Sequence, residues 1–375
     1  MKIGLTSIVL NKRGGIARYV VELAERFVKE NEVHIITSRV EHPVQGAIIH
    51  QENIIWNPIS AQVASAAIRN TLAANRLKKA DVIDFIHGQG AEVVSPDVIT
   101  AHSCHKAAVE QFKRERGLKY RLMKPFEPRS GVVLAIERRN FTARKFKKAI
   151  ANSHNVKDDL MKYYRVPEED IRVIYSGVDT QEFNPAKKAG RDKIREEIGI
   201  RPEDKVAVFS GWEFKRKGLM QIVKAMPEMK GVSVLVLGKD DPEPYRAEAR
   251  KLGVANKLFF TGFVDNISDY YAAADLMVFP TAYEPFGLVI IEAMATGLPV
   301  VTSRSAGAAE IIEDGKDGIL IDDPHSSREI AEKVNYIIDN DLFDSIGAKA
   351  CVKANVCSWD NIARQTMDVY KEILQ

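Results

Sequence analysis

The sequence predicts an α/β protein built on parallel sheets, because short apolar strands alternate with helices along its whole length. Lys2–Ser7 and Val33–Ser38 are strand-like, and the apolar residues of Gly15–Glu30 between them recur at helical spacing. Such alternation is typical of parallel strands joined by right-handed crossovers. The pattern restarts near Val206, and twelve strands are too many for one compact sheet, so we expect two Rossmann-like domains.

The predicted elements fall into two series. The strands of the first series are Lys2–Ser7, Val33–Ser38, Asp81–His87, Asp97–His102, Ala149–Asn152 and Arg172–Tyr175. The strands of the second are Val206–Ser210, Ser233–Gly238, Leu258–Thr261, Leu276–Pro280, Val300–Ser303 and Gly318–Ile321. The helices of the second series are Gly218–Met226, Glu243–Leu252, Ser268–Ala274 and Gly287–Thr296. A turn-rich stretch at 176–185 and a charged linker at 187–193 separate the two, so we place the boundary between 176 and 177.

Composition restricts the setting of the protein. Apolar residues make up 45% of the 375, which argues against disorder. The three cysteines form no close CxxC pair, which fits a reduced, cytosolic compartment. The N-terminus has no signal-peptide core, and no apolar run reaches the roughly 18 residues of a membrane span. We therefore expect a cytoplasmic protein, either free or peripheral on the inner face of the cell membrane.

Positive charge is concentrated in residues 105–148. This segment holds 14 Lys and Arg against 4 Asp and Glu, although the net charge of the whole chain is only +3. Its five aromatic residues are Phe112, Tyr120, Phe126, Phe141 and Phe146. Such a segment suits nucleic acid, anionic lipid or a phosphorylated acceptor, and the alternative is a solvated helical face.

Two carboxylates frame an apolar run that follows Gly287. The run is of helix length and apolar on every face, which predicts a buried helix. Glu292 lies inside it and must have a partner, because burying an unpaired charge is unfavourable. Glu284 lies just before the helix, beside the free N–H groups of its first turn, where anions bind. The pattern suits a nucleotide-sugar; the alternative is Glu292 paired with a buried Arg or Lys.

A basic turn, Lys215 to Lys217, follows one predicted strand and precedes a helix. It therefore lies at the carboxyl edge of a parallel sheet, where ligands bind in such folds. Fixed cations at that edge stabilise the charge that builds on a departing diphosphate. The alternative is an exposed basic turn without a ligand.

The first domain offers two weaker signals at strand ends. Gly14 and Gly15 stand between the first strand and its helix, where backbone can approach a phosphate or sugar closely, although they do not form GxGxxG. His102 ends a predicted strand, and as a strand-end histidine it has either a functional or a purely structural role.

Two patterns that elsewhere bind metals are rejected. His102, Cys104 and His105 lack a fourth ligand for zinc. Asp339-Asn340-Asp341 is the only Asp-x-Asp in the chain, but it ends a helical stretch far from the strand edges. We therefore expect no metal and no cofactor.

These segments resemble the retaining glycosyltransferases of family 4. The donor-site signature of that family is a Glu, seven residues and a second Glu, and Glu284 to Glu292 matches it through Gly297-Leu298-Pro299. The linker phrase at 174–183 matches as well, and the resemblance covers nearly the whole chain. It implies the GT-B fold, in which two Rossmann-like domains face each other across a cleft. It also implies that the last helix, Trp359–Leu374, crosses back, so that 359–375 completes an acceptor domain of 1–176 and leaves 177–358 as the donor domain.

The resemblance also implies residue roles. Lys217 matches the lysine that clamps the diphosphate, whereas Trp212 stands where the family usually has an arginine, so Arg216 is the expected substitute. Gly15 would touch the donor once the cleft closes, and His102 would bond to the transferred sugar. The expected catalytic residues are His102, Glu284 and Lys217. The expected donor-binding residues are Gly14, Gly15, Arg216, Lys217, Phe263, Val264, Glu284, Phe286, Gly287, Leu288 and Glu292.

The expected reaction is transfer of a hexose from a nucleotide diphosphate to an acceptor hydroxyl with retention, through an oxocarbenium-like transition state. Front-face attack, in which the departing phosphate takes the acceptor's proton, is favoured over Glu284 as nucleophile. The segments 115–122 and 138–141 resemble the lipopolysaccharide-core glucosyltransferase branch. We thus expect UDP-glucose as donor, a glycan or glycolipid as acceptor, contact of 105–148 with an anionic membrane, and no nucleic-acid partner.

Two other functions remain open. One is a nucleotide-sugar epimerase or a phosphorylase-like enzyme on the same fold, which needs a different acid/base set or a pyridoxal-binding lysine. The other is a non-catalytic sugar-nucleotide sensor, for which loss of a donor carboxylate is expected, yet Glu284 and Glu292 are both present.

Overall fold

The computed structural model describes residues 1–113 and 128–375, which form two compact units. Unit 1 comprises Met1–Gly177 together with Trp359–Gln375, and unit 2 comprises Val178–Ser358. The predicted boundary lay one residue earlier. Each unit is built on one parallel sheet, which confirms the prediction of two α/β domains.

The sheet of unit 1 has seven strands. They are β1 Lys2–Leu10, β2 Glu32–Val40, β3 Ile48–Gln51, β4 Phe85–Gln89, β5 Val98–Ala101, β6 Lys148–Ala151 and β7 Ile171–Val173. Their order is β3-β2-β1-β4-β5-β6-β7, and every neighbouring pair is parallel. The sequence did not predict β3. This edge strand has four residues, none of them fully buried, so it lacks the buried apolar run that identifies the other strands.

The helices of unit 1 that precede the linker are amphipathic or capped. They are α1 Gly15–Phe27, α2 Ile59–Lys79, α3 Pro128–Thr142 and α4 His154–Tyr164. In α1, Val20, Leu23 and Phe27 are buried at helical spacing, as predicted. Helix α4 begins after Ser153, whose hydroxyl accepts the backbone N–H of Val156 and so satisfies a donor of the first turn.

The sheet of unit 2 has six parallel strands. They are β8 Lys205–Ser210, β9 Val232–Leu237, β10 Leu258–Gly262, β11 Leu276–Phe279, β12 Val300–Ser303 and β13 Ile319–Ile321. Their order is β10-β9-β8-β11-β12-β13. All six were predicted to within two residues at each end, because nearly all of their side chains, except those of β10, are buried on both faces of the sheet.

Seven α-helices accompany this sheet. They are α5 Arg191–Ile198, α6 Leu219–Ala225, α7 Glu243–Lys251, α8 Ile267–Ala272, α9 Leu288–Ala295, α10 Ser327–Asp339 and α11 Phe343–Ala354. Helix α9 is the buried apolar helix that the sequence predicted, one residue shorter at each end. Its last six residues, Ile290 to Ala295, are all buried.

The last helix, α12 Trp359–Leu374, packs on unit 1, as the resemblance implied. The Tyr370 hydroxyl lies 2.5 Å from Nδ1 of His87 on β4, and the Trp359 ring stands edge-on to Tyr19 of α1 at 5.8 Å. Gly177 leaves room for that indole, since a Cβ there would stand 2.3 Å from its ring atoms. Burying each such aromatic side chain contributes about 2–3 kcal/mol, which holds the chain terminus on the first sheet.

The basic segment at 105–148 is described in part. Residues 105–113 are helical, and α3 covers most of the segment beyond 127. Residues 115–122, which resemble the lipopolysaccharide-core branch, lie outside the described residues. Within the ranges 1–113 and 128–375, no helix is both long and apolar enough to cross a bilayer.

In each sheet the direction in which successive strands are added reverses at one pair of neighbouring strands. In unit 1 the order reverses between β1 and β4, and in unit 2 between β8 and β11. Loops that leave the carboxyl ends of such a pair diverge to opposite faces of the sheet and leave a crevice where ligands of α/β proteins bind. The predicted site residues follow the ends of β1, β5, β8, β10 and β11.

Candidate active site

The loop from β8 to α6 and the loop from β11 to α9 meet through a glycine. Gly218 adopts φ +85°, and a Cβ at this position would stand 2.1 Å from the carbonyl oxygen of Pro280. Only glycine permits this approach, because the backbone conformation and the space both exclude a side chain. The contact brings the basic turn next to the residues that precede α9.

Arg216 is held by acceptors from both loops. Its Nη1 donates to the Tyr283 carbonyl at 2.7 Å and lies 3.3 Å from Oε2 of Glu284, while its Nε and Nη2 donate to Oε2 of Glu213 at 3.1 and 3.0 Å. Burial opposes the charge of the guanidinium, but Glu284 and Glu213 outweigh it and raise the pKa of Arg216. Arg216 is therefore a fixed cation.

Lys217 shares the same carboxylate. Its Nζ lies 3.4 Å from Oε2 of Glu284 and 5.1 Å from the centre of the Phe279 ring, at the end of β11. The side chains of Lys217, Arg216 and Glu284 are only 13%, 17% and 14% exposed. Lys215, the other cation of the turn, is exposed. The structure thus brings together three of the predicted residues, Arg216, Lys217 and Glu284.

The backbone around Glu284 is anchored to the loop that follows β12. The Glu284 carbonyl accepts the N–H of Gly307 at 2.9 Å, and the Phe286 carbonyl accepts the N–H of Ala308 at 2.7 Å. Phe286 is buried and Leu288 half-buried. Gly287 takes φ +98° as it leads into α9, a conformation that favours glycine. The carboxylate of Glu284 is therefore presented from a fixed backbone at the start of a helix.

Glu292 is buried on α9, with 8% of its surface exposed. The hydroxyl of Tyr271, in α8, points at its Oε2 across 3.4 Å, a long contact for a hydrogen bond. The sequence predicted that this buried carboxylate has a partner, and the Tyr271 hydroxyl is one such contact.

Two exposed aromatic residues flank the same edge of the sheet. Phe263 and Val264 follow the end of β10, and Phe263 is 53% exposed whereas Val264 is half-buried. Trp212, which stands where the resemblance expected an arginine, is 62% exposed just after β8. Sequence reasoning missed Glu213, which binds Arg216; its only signal was an acidic residue beside a basic turn.

In unit 1, His102 lies just beyond β5 within a neutral polar cluster. Its Nε2 lies 2.9 Å from Oε1 of Gln89, the last residue of β4, and its carbonyl accepts Nδ2 of Asn152 at 3.0 Å. Burial lowers the pKa of His102 to about 4, so the ring is neutral at pH 7. The Nε2–H then donates to Gln89 and leaves Nδ1 as an acceptor. Neither Gln89 nor Asn152 was predicted, although both are polar residues at carboxyl ends of strands.

Gly14 immediately precedes α1, Gly15 is the first residue of that helix, and both are exposed. Gly14 has an ordinary extended backbone, and a Cβ there would meet only Asn11 and Ala17, at 3.9 and 4.0 Å. The glycine therefore leaves open space in front of α1 and is not required by the turn. Contact of either glycine with a donor stays a prediction.

The residues that could suggest a metal have other partners. Asp339 ends α10, as predicted, and pairs with Lys230 at 2.6 Å. His105 bonds to Ser130 at 2.8 Å, and burial together with the nearby Glu137 raises the pKa of the Cys104 thiol, which disfavours the thiolate. Across residues 1–113 and 128–375, no group of three His, Cys, Asp or Glu is placed to hold a metal ion.

Comparison with known proteins agrees with this geometry. Residues 13–182 match the family model of Glycosyltransferase Family 4, and residues 190–354 match that of Glycosyl transferases group 1. The chain is 35% identical over 233 residues to the uncharacterized glycosyltransferase MJ1607 of Methanocaldococcus jannaschii, which covers 59% of each chain. It is 28% identical over 229 residues to the lipopolysaccharide glucosyltransferase WaaG of Escherichia coli strain K12, which covers 60% of each. These alignments span about three fifths of the length of the curated relatives.

Two solved structures share the fold over nearly the whole chain. A crystal structure of WaaG, a glycosyltransferase involved in lipopolysaccharide biosynthesis, superposes with a TM-score of 0.80 at 23% identity and covers 98% of this chain and 99% of that one. Anabaena Alr3699/HepE in complex with UDP and glucose gives 0.71 at 21% identity, with 99% of each chain covered. At these identities the likeness shows the fold alone. With one glycosyltransferase model matching each of its two units, the chain is related to the glycosyltransferases of the GT-B type.

Proposed function

We propose that this protein is a retaining glycosyltransferase that moves a hexose from a nucleoside diphosphate to the hydroxyl of an acceptor. One observation carries the proposal. Arg216 and Lys217 from the β8 loop meet Glu284 from the β11 loop at the strand pair where the sheet of unit 2 changes direction. Cations that are largely shielded from water at the carboxyl edge of a parallel sheet suit the binding of a diphosphate.

The cations act on the leaving group. When the bond between the hexose and the diphosphate breaks, negative charge grows on the phosphate oxygens. Arg216 and Lys217 are already fixed and largely shielded from water, so they stabilise this charge without reorganising. The departing phosphate oxygen takes the proton of the attacking hydroxyl on the same face, which retains the anomeric configuration.

The two glutamates serve different parts of the donor. Glu292, buried on α9, accepts hydrogen bonds from the ribose hydroxyls. Glu284, at the cation pair, accepts them from the hydroxyls of the hexose. Phe286, Gly287 and Leu288 shape the start of α9 beside the diphosphate, and Phe263 and Val264 border the nucleoside. In unit 1, the open Nδ1 of His102 accepts from a sugar hydroxyl.

The relatives support a more specific proposal for the substrates. UDP-glucose is the proposed donor, since WaaG is a lipopolysaccharide glucosyltransferase and the Alr3699/HepE structure holds UDP and glucose. The proposed acceptor is a glycan or glycolipid of the lipopolysaccharide-core kind, which unit 1 binds. We further propose that no metal is needed and that the protein works in the cytoplasm, with residues 105–148 against an anionic membrane.

A ligand screen tests the donor. Isothermal calorimetry with UDP, GDP and ADP, followed by their hexose conjugates, should show binding of one nucleotide family. The same ligands should raise the melting temperature, because a ligand that binds only the folded protein stabilises it. Transfer should then give an α-linked product by NMR and continue in EDTA. Failure of all nucleotides to bind, or an inverted product, would contradict the proposal, and an absolute need for Mg²⁺ would contradict its metal-free part.

A vesicle assay tests the membrane contact separately. Sedimentation with liposomes should increase with the fraction of anionic lipid and decrease with salt, because each surface Lys or Arg contributes about 1 kcal/mol that is screened within roughly 10 Å at 0.1 M salt. Combined neutralisation of Arg114, Arg116, Lys119 and Arg121, which lie outside the described residues, should abolish it and leave donor hydrolysis intact. A wild-type protein that ignores anionic vesicles at low salt would point to a soluble acceptor.

A further inference from the structure

One oxygen atom contacts both of the proposed diphosphate-binding cations. Oε2 of Glu284 lies 3.3 Å from Nη1 of Arg216 and 3.4 Å from Nζ of Lys217. All three side chains are less than a fifth exposed, so water screens these charges only weakly. Any anion that uses the two cations must share them with this carboxylate.

The charges of the cluster balance among its four side chains. Arg216 and Lys217 carry two positive charges, and Glu284 and Glu213 carry two negative ones. The two carboxylates differ in their surroundings, since the side chain of Glu213 is 65% exposed and that of Glu284 only 14%. Glu284 is therefore the carboxylate whose charge acts most strongly on an incoming diphosphate, and the sign of that effect is repulsive.

We infer that Glu284 competes with the nucleoside diphosphate for Arg216 and Lys217, and that this competition promotes release of the product. The inference rests on the proposed function. In the donor complex the hexose hydroxyls donate to Glu284 and hold its carboxylate away from the cations. Once the hexose has been transferred, those donors are gone, and Glu284 returns to Arg216 and Lys217.

The local structure allows this exchange by a side-chain movement alone. The backbone of Glu284 is fixed by the hydrogen bond from Gly307 and by its bridge to Ala306. The space beside its side chain is kept open by Gly287, where a Cβ would stand 3.2 Å from Cγ of Glu284. The carboxylate can therefore turn between the cations and a sugar without a change of the loop.

Such an arrangement weakens the binding of the diphosphate product more than the binding of the donor substrate. The carboxylate repels the diphosphate in both complexes, but only the donor compensates through its sugar hydroxyls. The contacts of the hexose with Glu284 thus offset the repulsion of the diphosphate. When the hexose has been transferred, this compensation is lost and the affinity for the nucleoside diphosphate decreases. The consequence is a nucleoside diphosphate that dissociates faster than the cations alone would permit.

The test compares the neutral isostere Glu284→Gln with the wild type. Calorimetry should show that UDP, GDP or ADP, whichever the wild type binds, binds the variant about tenfold or more tightly, and that inorganic pyrophosphate changes in the same direction. Glu213→Gln is the matched control, because it removes an exposed carboxylate from the same arginine, and the gain should stay below about threefold. In stopped-flow experiments the diphosphate should leave Glu284→Gln more slowly.

Glu284→Ala serves as a second neutral variant, and a thermal melt of each protein confirms that it is folded. Equal or weaker diphosphate affinity in both Glu284 variants would overturn this inference and leave the donor site in place. An equal gain in Glu213→Gln would also overturn it, because any loss of negative charge would then suffice. If no nucleoside diphosphate binds any of these proteins, the inference falls together with the proposed function.

Discussion

The two sheets have similar topology, but the carboxyl edge of one carries charged side chains and that of the other carries neutral polar ones. In unit 2 the strand pair at which the order reverses carries a cluster of four charges around Arg216, Lys217 and Glu284. In unit 1 the carboxyl ends of β4, β5 and β6 carry Gln89, His102 and Asn152, joined by neutral hydrogen bonds. The first edge suits a ligand that carries charge, and the second suits hydroxyl groups. One fold thus supports two kinds of recognition, and the difference lies in a few residues at strand ends.

The largest effect should follow from removing a cation of the charged edge. Lys217→Ala should lower kcat/KM for hexose transfer about 10²- to 10³-fold, because it removes a preorganised charge from the leaving diphosphate. Lys215→Ala is the matched control, since Lys215 belongs to the same turn but is exposed and has no part in the cluster. Steady-state kinetics with the donor found by calorimetry measures both. Equal losses in the two variants would show that only the net charge of the turn matters.

The junction of the two loops in unit 2 should be sensitive to a single methyl group. Gly218→Ala should lower the free energy of unfolding by about 3 kcal/mol, because the new Cβ meets the Pro280 carbonyl and φ is +85°. Gly231→Ala is the control, because Gly231 also has positive φ (+67°) but nothing lies within 4 Å of its Cβ position, so only about 1 kcal/mol is expected. Urea denaturation compares them, and similar losses would mean that backbone strain alone sets the effect.

The two glutamates should separate binding from turnover. Glu292→Ala should weaken nucleotide binding about tenfold, because it removes the acceptor of the ribose hydroxyls, whereas Glu284→Ala should lower kcat without weakening nucleotide binding. Calorimetry with the nucleoside diphosphate and steady-state kinetics give the two quantities. A Glu292→Ala protein with unchanged binding and turnover would refute the ribose assignment.

The neutral edge of unit 1 should be tested through the dependence of stability on pH rather than through activity. Burial lowers the pKa of His87 to about 3, helped by the nearby His102, and burial lowers that of His102 to about 4. Because an unfolded histidine titrates near 6.5, the unfolded chain binds more protons below that pH. The contribution of these two histidines to stability should therefore be fully present above about pH 6.5 and decline as the pH falls toward 4 and 3.

Thermal melts between pH 8 and 4 measure this decline, and Gln89→Glu supplies the contrast. A carboxylate beside Nε2 favours the protonated ring, so the pKa of His102 should rise and its share of the decline should shrink. NMR titration of the imidazole reports the pKa directly. An unchanged His102 titration in Gln89→Glu would contradict the hydrogen bond between Gln89 and His102.

The fold was largely predictable from the sequence, and the exceptions have a common origin. Helix α9 was predicted as Gly287–Thr296 and runs from Leu288 to Ala295, because its apolar residues and flanking glycines are local signals. Strand β3 was missed, because an exposed four-residue edge strand has no apolar pattern and is defined only by its pairing with β2.

The sequence supplied the candidate residues of the site but not the contacts between them. The sequence singled out Arg216, Lys217, Glu284 and Glu292 from their positions at strand ends and within an apolar helix. It gave no sign that Glu213 would bind Arg216 or that Gln89 would bind His102. Both partners are polar residues whose chemistry becomes visible only when their neighbours are known.

Local patterns by themselves determined most of the strands of this chain, where its two units divide, and which charged residues lie at sheet edges. Hydrophobic periodicity and turn residues act over a few positions, so these features are encoded in short stretches of sequence. The tertiary structure decided which edges meet. Arg216 and Glu284 are 68 residues apart along the chain, and they lie together because the crossovers place β8 beside β11 and Gly218 lets the two loops touch. Strand order and close backbone approach are properties of the folded sheet, and for that reason they determined the electrostatics of the site.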